Sequence, residues 1–301
     1  MVRPTMGDDK ARELIAQAEK KLKSTGGFFG NLMGSNNVKY EEAVELYKLA
    51  ANQYKMVKKW KEAGDAFVEC AKLSIKLESK HDAAAHYVDA STCYKKTSAA
   101  AAVAALRSAT DIFCDMGRLS IAAKQQQAIA EVYETELADF EQAITAYEQA
   151  ADWFAGEEST SSATKCLLKV AQFSAQLGKY PRAAEIYEQT GRQSLDNNLL
   201  KYSAKDYFMK ASLCQQCTGD LVKAQNALES YMTMYPGFAD TREGKFVSDL
   251  LKALETSDAD GFTSIVADYD SISRLDPWLT SILLVIKRQI TSGGQTAEPL
   301  C

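Results

Sequence analysis

The feature that most constrains this chain is an internal repeat with a spacing of twenty residues. In each of five segments an alanine stands four residues before an aromatic residue, and multiples of twenty separate the alanines. Residues four apart share one face of an α-helix, where the alanine admits a neighbouring helix and the ring fills the space beside it. The period therefore predicts a solenoid of stacked helices. The pairs are Ala43/Tyr47, Ala63/Phe67, Ala83/Tyr87, Ala143/Tyr147 and Ala183/Tyr187.

Each segment predicts a helix of about 14–17 residues followed by a short turn. Gly117, Gly156, Gly178 and Gly219 stand between segments, as residues that end helices do, and Asn197 begins another break. Connections this short make consecutive helices antiparallel. We therefore expect an all-α, TPR-like, right-handed superhelical solenoid of antiparallel helix pairs with a C-terminal helical bundle as its cap.

The repeat stops near residues 235–238, which defines the predicted domains. These are a solenoid over 1–238, a C-terminal helical bundle over 239–291 and a flexible tail over 292–301. Three helices are expected in the bundle, over about 241–256, 259–271 and 276–291. The last begins with Asp276 as N-cap and Pro277 at the first helical position. Its side chains expected to pack on the solenoid are Trp278, Ile282, Leu283 and Ile286.

Charge and composition restrict the class of protein. The net charge of −5 argues against nucleic acid as a partner. Residues 1–60 carry 11 basic and 7 acidic side chains, whereas residues 219–276 carry 5 basic and 11 acidic ones, which suggests two different partners. Seven scattered cysteines, no apolar signal region and no stretch long enough to span a bilayer predict a cytoplasmic protein whose membrane contact is peripheral.

An apolar, glycine-rich segment follows a predicted amphipathic helix over residues 8–24. Over residues 26–34 four large apolar side chains, Phe28, Phe29, Leu32 and Met33, alternate with glycines, which favours a loop. One interpretation is a hydrophobic plug over the first helix pair. The other is insertion into the interface of a bilayer, assisted by Lys20, Lys21 and Lys23 nearby.

Basic side chains recur along the chain at intervals of about one or two repeats. Such cations form either a solvated face or an electropositive groove for an acidic helical partner, which would bind with a marked salt dependence. The residues are Lys96, Arg118, Lys124, Lys165, Lys201 and Lys205.

Residue patterns that support catalysis are missing from the sequence. His81 and His86 are five residues apart, which is poor spacing for a metal pair on one helix, and Cys214 and Cys217 form a lone CxxC. No Walker A, GxGxxG or GxSxG motif occurs. We expect a protein that is not an enzyme and that carries neither a metal nor a cofactor.

Several long stretches resemble the soluble NSF attachment proteins, and the alpha and beta types more than gamma. They include DMGRLSIAAK at 115–124, GEESTSSATKCLLKVA at 156–171 and YDSISRLDPWLTSILLVIK at 269–287, and the resemblance covers essentially the whole chain. It implies an adaptor that binds assembled SNARE four-helix bundles, recruits the hexameric AAA+ ATPase NSF and stimulates it to disassemble them, in vesicle fusion and membrane trafficking. It also implies a peripheral position on the cytoplasmic face of membranes.

The resemblance implies roles for particular residues. Lys124 and Lys165 correspond to the basic residues that grip the SNARE bundle, with Lys96, Arg118, Lys201 and Lys205 as companions. Phe28 and Phe29, with Leu32 and Met33, correspond to the loop that touches the membrane. Leu300 corresponds to the leucine that activates NSF, and Glu255 and Asp258 belong to the acidic end that meets NSF. Lys252 and Thr256 depart from the pattern, since acidic residues are expected there.

Two rival functions remain open from the residues. One is a general TPR-type scaffold for another trafficking or chaperone partner, which would need clustered Lys and Asn side chains to clamp a peptide carboxylate. The other is an enzyme that uses Cys214 and Cys217.

Overall fold

The computed structural model describes residues 6–23 and 35–292, and the regular structure in these residues is helical, as predicted. A π-helical turn lies at Tyr133–Leu137, and 3₁₀ turns lie at Lys201–Ser203 and Pro236–Asp240. The α-helices are α1 (Met6–Lys23), α2 (Ser35–Met56), α3 (Trp60–Lys76), α4 (Lys80–Tyr94), α5 (Ala99–Asp115), α6 (Leu119–Val132), α7 (Phe140–Gly156), α8 (Thr160–Gln176), α9 (Tyr180–Leu195), α10 (Ala204–Cys217), α11 (Leu221–Met234), α12 (Arg242–Glu255), α13 (Ala259–Ile272) and α14 (Pro277–Thr291).

The chain divides into two compact units, Met1–Ala163 and Thr164–Cys301, which we call the N-terminal unit and the C-terminal unit. In the N-terminal unit the main packing is between consecutive helices, from α1 on α2 to α6 on α7. From α2 to α7 the connections between helices are two to four residues long, which makes consecutive helices antiparallel. The domain boundary near residue 238 stays a prediction.

The repeated alanines form the seams between helices, as predicted. Ala43, Ala63, Ala83, Ala143 and Ala183 have no exposed surface. Four of the five aromatic partners are also buried, and only Tyr87 is partly exposed. Burying such rings contributes on the order of 2 kcal/mol each through the hydrophobic effect. The twenty-residue spacing is therefore the repeat of the core contacts.

Eight of the turns between helices share one backbone feature. In eight connections the residue two positions before the next helix has a positive φ, between 50° and 78°. Around Glu158 the amide of Ser159 donates to Phe154 O at 2.8 Å and that of Glu158 donates to Ala155 O at 3.1 Å, which is a Schellman motif. A helix of 17 residues, such as α7, and a connection of three residues make up the period.

Glycine occupies only some of these positions. Gly117, Gly178 and Gly219 lie in turns between helices, as predicted, and have positive φ, whereas the predicted position of Gly156 in a turn is wrong. Gly156 is the last residue of α7, and Glu158 takes the left-handed conformation in that turn. The other left-handed residues without glycine are Lys58, Glu78, Ala138 and Ser257.

The C-terminal unit is built around α10. Residues 211–217 of this helix are all buried, and two amide side chains fasten it to its neighbours. Gln216 Nε2 donates to Val247 O in α12 at 3.0 Å, and Gln289 Nε2 in α14 donates to Cys217 O at 2.9 Å. These bonds join residues far apart in sequence, so this unit closes on itself.

Helix α14 begins as the sequence predicts and packs within the C-terminal unit. Asp276 caps it by accepting from the Leu279 amide at 2.7 Å, and Pro277 is the first helical residue. Trp278 Nε1 donates to Gln172 O at 3.3 Å, and its ring lies edge-on to Tyr187 with 5.7 Å between centroids. Ile282, Leu283 and Ile286 are buried as well.

Candidate protein-binding surfaces

Five of the six cations predicted to bind a partner are exposed. Of these, Lys96 lies in the turn after α4, and Arg118 directly precedes α6. Lys124 and Lys165 lie near the amino ends of α6 and α8. Lys201 begins the 3₁₀ turn before α10. No carboxylate among the described residues pairs with any of the five, so their charge faces solvent and can attract an anionic surface.

Lys205 has a different environment. Its ammonium lies 3.1 Å from Oε1 of Glu243, a carboxylate at the start of α12 that is 3% exposed. Arg242 approaches the same oxygen at 3.6 Å. A buried carboxylate needs a cation close by, because burial without one is costly. Lys205 therefore stabilises the packing of α10 on α12, and part of its charge is already balanced within the protein.

Large apolar side chains surround Lys201. Leu199 is 90% exposed, Tyr202 is 79% exposed, and Leu200 is half exposed. The spacing of basic residues in the sequence identifies only the lysine, because an apolar residue is by default assigned to a core. Exposed apolar side chains next to a cation are typical of protein-binding surfaces, so we add Leu199 and Tyr202 to the candidate site.

The predicted acidic site lies at the junction of α12 and α13. Glu255 ends α12 and is exposed. Asp258 caps α13, since its Oδ1 accepts from the Gly261 amide at 2.8 Å. Lys252 lies one turn before Glu255 on α12 and pairs with Asp249 at 3.5 Å. The surface is thus still acidic. The carboxylate of Glu255 can contact a partner, whereas that of Asp258 caps α13.

Several predicted site residues lie outside the described residues. They are the predicted membrane-contacting residues Phe28, Phe29, Leu32 and Met33, and Leu300 of the tail. Their roles stay predictions. Within the described residues, none of the helices combines the length and apolar character that crossing a bilayer requires.

The CxxC pair lies in the core of the C-terminal unit, as expected for structural thiols. Burial raises the pKa of Cys214 and of Cys217 well above the usual value for a thiol. Cys217 Sγ is 3.8 Å from Ile282 O. A buried thiol with a raised pKa forms little thiolate and is a poor nucleophile.

Among the described residues, neither histidine belongs to a group of side chains that could bind a metal ion. His81 is exposed, whereas His86 is half-buried and stacks on Phe67, with 6.4 Å between the ring centroids. Burial lowers the pKa of His86. Across the described ranges no three His, Cys, Asp or Glu side chains are grouped so that they could hold a metal ion.

Two grooves are lined largely by polar side chains. One, of about 330 Å³, is lined by α5, α6 and α7, including Arg107, Asp111 and Gln149. The other, of about 610 Å³, is lined by α9, α10 and α11, including Glu185 and Arg192. Each combines donors and acceptors of both charges, and the side chains that line them do not form the cluster of Lys and Asn that a carboxylate clamp needs.

Comparison with known proteins agrees with the pattern of residues. The family described as "Soluble NSF attachment protein, SNAP" matches residues 9–291. A beta-soluble NSF attachment protein from Bos taurus is 51% identical over 286 residues, which is 95% of both chains. An alpha-soluble NSF attachment protein from Mus musculus is 51% identical over 93% of this chain and 95% of the relative. The vesicular-fusion protein SEC17 from Komagataella phaffii is 38% identical over 96% and 98%.

Proposed function

This chain belongs to the soluble NSF attachment protein family, and on that basis we propose that it is an adaptor for the disassembly of SNARE complexes. It binds the assembled four-helix bundle, recruits the AAA+ ATPase NSF and stimulates it, while ATP hydrolysis takes place in NSF. The observation that carries this proposal is the match over residues 9–291, which includes both the basic and the acidic candidate surfaces.

The SNARE-facing surface is proposed to be the exposed cations. Lys124 and Lys165 supply charges that no described carboxylate neutralises, and Leu199 and Tyr202 add apolar contact beside Lys201. Charge brings an acidic bundle to the surface, and desolvated apolar contacts then slow its release. Binding should therefore weaken as ionic strength rises, without disappearing.

The NSF-facing and membrane-facing parts lie at opposite ends of the sequence. Glu255, at the end of α12, and Leu300 are proposed to contact NSF, with Asp258 holding the α12–α13 turn in place. Phe28 and Phe29 are proposed to touch the cytoplasmic face of a membrane. Two phenylalanines give weak, reversible anchoring, which raises the local concentration of the adaptor near its target.

A general TPR-type scaffold is the second candidate. The two polar grooves favour it, because mixed donors and acceptors suit an extended peptide. The long sequence match favours the first candidate, since a scaffold with a different partner would not need to share 51% of its residues over 95% of the chain.

A reconstituted reaction tests the proposal. Purified SNARE complex, NSF and ATP are mixed with and without this protein, and disassembly is followed by the loss of fluorescence transfer between labelled SNAREs. We expect disassembly only when this protein is present. Leu300→Ala should retain SNARE binding and lose stimulation of the NSF ATPase, with Thr296→Ala as its control in the same tail. Absence of any stimulation by the wild-type protein would overturn the proposal.

A further inference from the structure

An apolar cleft of about 170 Å³ lies between α13 and α14. Its walls include Phe262, Val266, Leu283 and Leu284. Leu284 is 47% exposed although it is a large apolar residue, so the cleft opens to solvent. Beside it Lys287 Nζ donates a hydrogen bond to Thr263 Oγ1 at 2.8 Å, which links the two helices.

The size of the cleft restricts what can occupy it. An apolar cavity of about 150 Å³ holds a molecule the size of benzene. A cleft of about 170 Å³ therefore accepts one leucine-sized side chain. It is too small for an acyl chain, and a helical ligand would need a longer groove that receives several side chains.

The chain leaves α14 on the side that carries the cleft. Thr280, Leu284 and Lys287 line the cleft and follow one another at helical spacing, and Thr291, the last residue of α14, continues the same stripe. The tail therefore begins at the end of the stripe that forms one wall. Its first two residues, Gly293 and Gly294, permit a reversal of direction that other residues resist.

The tail is long enough to return to the cleft and carries a suitable side chain. From Ser292 back to Leu284 the distance along the helix is about 12 Å. Eight residues from Gly293 to Leu300 reach up to about 26 Å when extended. Leu300 is the one large aliphatic residue of 293–301, and Glu298, two residues before it, is complementary in charge to Lys287 and Arg288.

We infer that the cleft between α13 and α14 binds the side chain of Leu300 of the same chain. Residues 293–301 then fold back along α14, with Glu298 toward the basic side chains of its last turns. The docking itself does not depend on the proposed function. If Leu300 also contacts NSF, the docked tail competes with that contact, and NSF must bind the released form.

The thiol of Cys301, adjacent to Leu300, reports on this docking. The full-length protein alone is treated with iodoacetamide, and alkylation of the Cys301 peptide is followed over time by mass spectrometry. Leu284→Glu places a charge in the cleft at a half-exposed position, and Leu300→Gln removes the occupant. If about nine-tenths of the molecules are docked, both variants should react about tenfold faster than wild type, because only the released tail reacts.

Ile272→Glu is the matched control, since Ile272 is 71% exposed on α13 and does not line the cleft. It should react at the wild-type rate, and the melting temperatures of all variants establish that they are folded. Equal rates in wild type, Leu284→Glu and Leu300→Gln would overturn the inference. So would a wild-type rate that falls with protein concentration, because the tail would then enter a second copy. Neither NSF nor SNAREs are present, so failure here leaves the adaptor function intact.

Discussion

The ammonium of Lys205 lies 3.1 Å from a carboxylate oxygen of Glu243, and that carboxylate is 3% exposed. This pair separates Lys205 from the other predicted cations, whose charges face solvent. A loss of partner binding after mutation of Lys205 can thus arise from altered packing of α10 on α12, which binding assays alone would not distinguish.

Lys205→Met should lower the free energy of unfolding by about 1–3 kcal/mol, because Glu243 is left buried with only the more distant Arg242. Urea unfolding measures this loss. Lys201→Met is the control, since Lys201 is exposed in the same region and should change stability by less than about 0.5 kcal/mol. The double variant Lys205→Met/Glu243→Gln should regain much of the loss. Equal stability of Lys205→Met and wild type would show that the pair contributes nothing.

The left-handed turn residues predict opposite effects of glycine and alanine. At Glu158, with φ of 55°, Glu158→Gly should raise the free energy of unfolding by up to about 1 kcal/mol, because the left-handed conformation disfavours a side chain. Gly178→Ala, at φ of 74°, should lower it by about 1 kcal/mol. Glu157→Gly is the control one residue earlier, where φ is −97°, and it should not raise the free energy of unfolding. Thermal unfolding that ranks these variants differently would contradict the assignment of the turns.

Charge reversal tests the proposed SNARE surface. Lys124→Glu with Lys165→Glu should weaken binding of the SNARE complex by about tenfold or more, because attraction becomes repulsion at two exposed positions. The melting temperature should stay unchanged. Lys80→Glu with Lys245→Glu is the matched control, with the same charge change at two other exposed lysines. Equal binding by both double variants would indicate that net charge, rather than this surface, decides the interaction.

Phe28→Ser with Phe29→Ser should slow disassembly of SNARE complexes embedded in liposomes and leave soluble complexes unaffected. The physical reason is the lost insertion of apolar rings into the bilayer interface, which lowers the local concentration of the adaptor. Flotation with liposomes measures binding directly. An equal loss with soluble complexes would favour the alternative, a hydrophobic plug over the first helix pair.

His86 should make stability sensitive to mild acid. Burial lowers its pKa below 6.5 in the folded state, with Lys48 acting in the same direction and Asp89, Asp82 and Glu45 opposing. The unfolded chain therefore binds the proton more readily, and stability present above pH 6.5 falls as the pH drops toward the folded pKa. His86→Phe should reduce the fall in melting temperature between about pH 7 and 5.5, whereas His81→Phe at an exposed position should not. The same slope in wild type and His86→Phe would contradict this.

The helices and seams were predictable because two features of each repeat indicate the same structure. The length of the segment and its pair of alanine and aromatic residues both predict a helix that packs on its neighbours. Ala143 and Tyr147 are buried for the reason that the spacing indicates. Turn chemistry was less predictable. Glycine marks only some of the left-handed positions, and Glu158 adopts that conformation because the helices on both sides fix it.

Some features of the candidate site could not be predicted, because they depend on contacts between residues that are far apart in sequence. Lys205 and Glu243 are distant in sequence, and only the packing of α10 on α12 joins them. The exposure of Leu199 and Tyr202 was also unpredictable, since an apolar residue in a sequence carries no sign of whether a neighbouring element will cover it.

The two units differ in how they lose structure. In the N-terminal unit each helix packs mainly on the next one, so a helix at either end can detach without disturbing the rest. In the C-terminal unit the bonds from Gln289 to Cys217 and from Gln216 to Val247 tie α10, α12 and α14 together, so we expect these three helices to open together. Amide hydrogens should accordingly exchange with graded rates along the first unit and with one common rate in these three helices. We also expect the C-terminal unit to fold more slowly than the N-terminal unit, because its contacts join residues that are far apart in sequence.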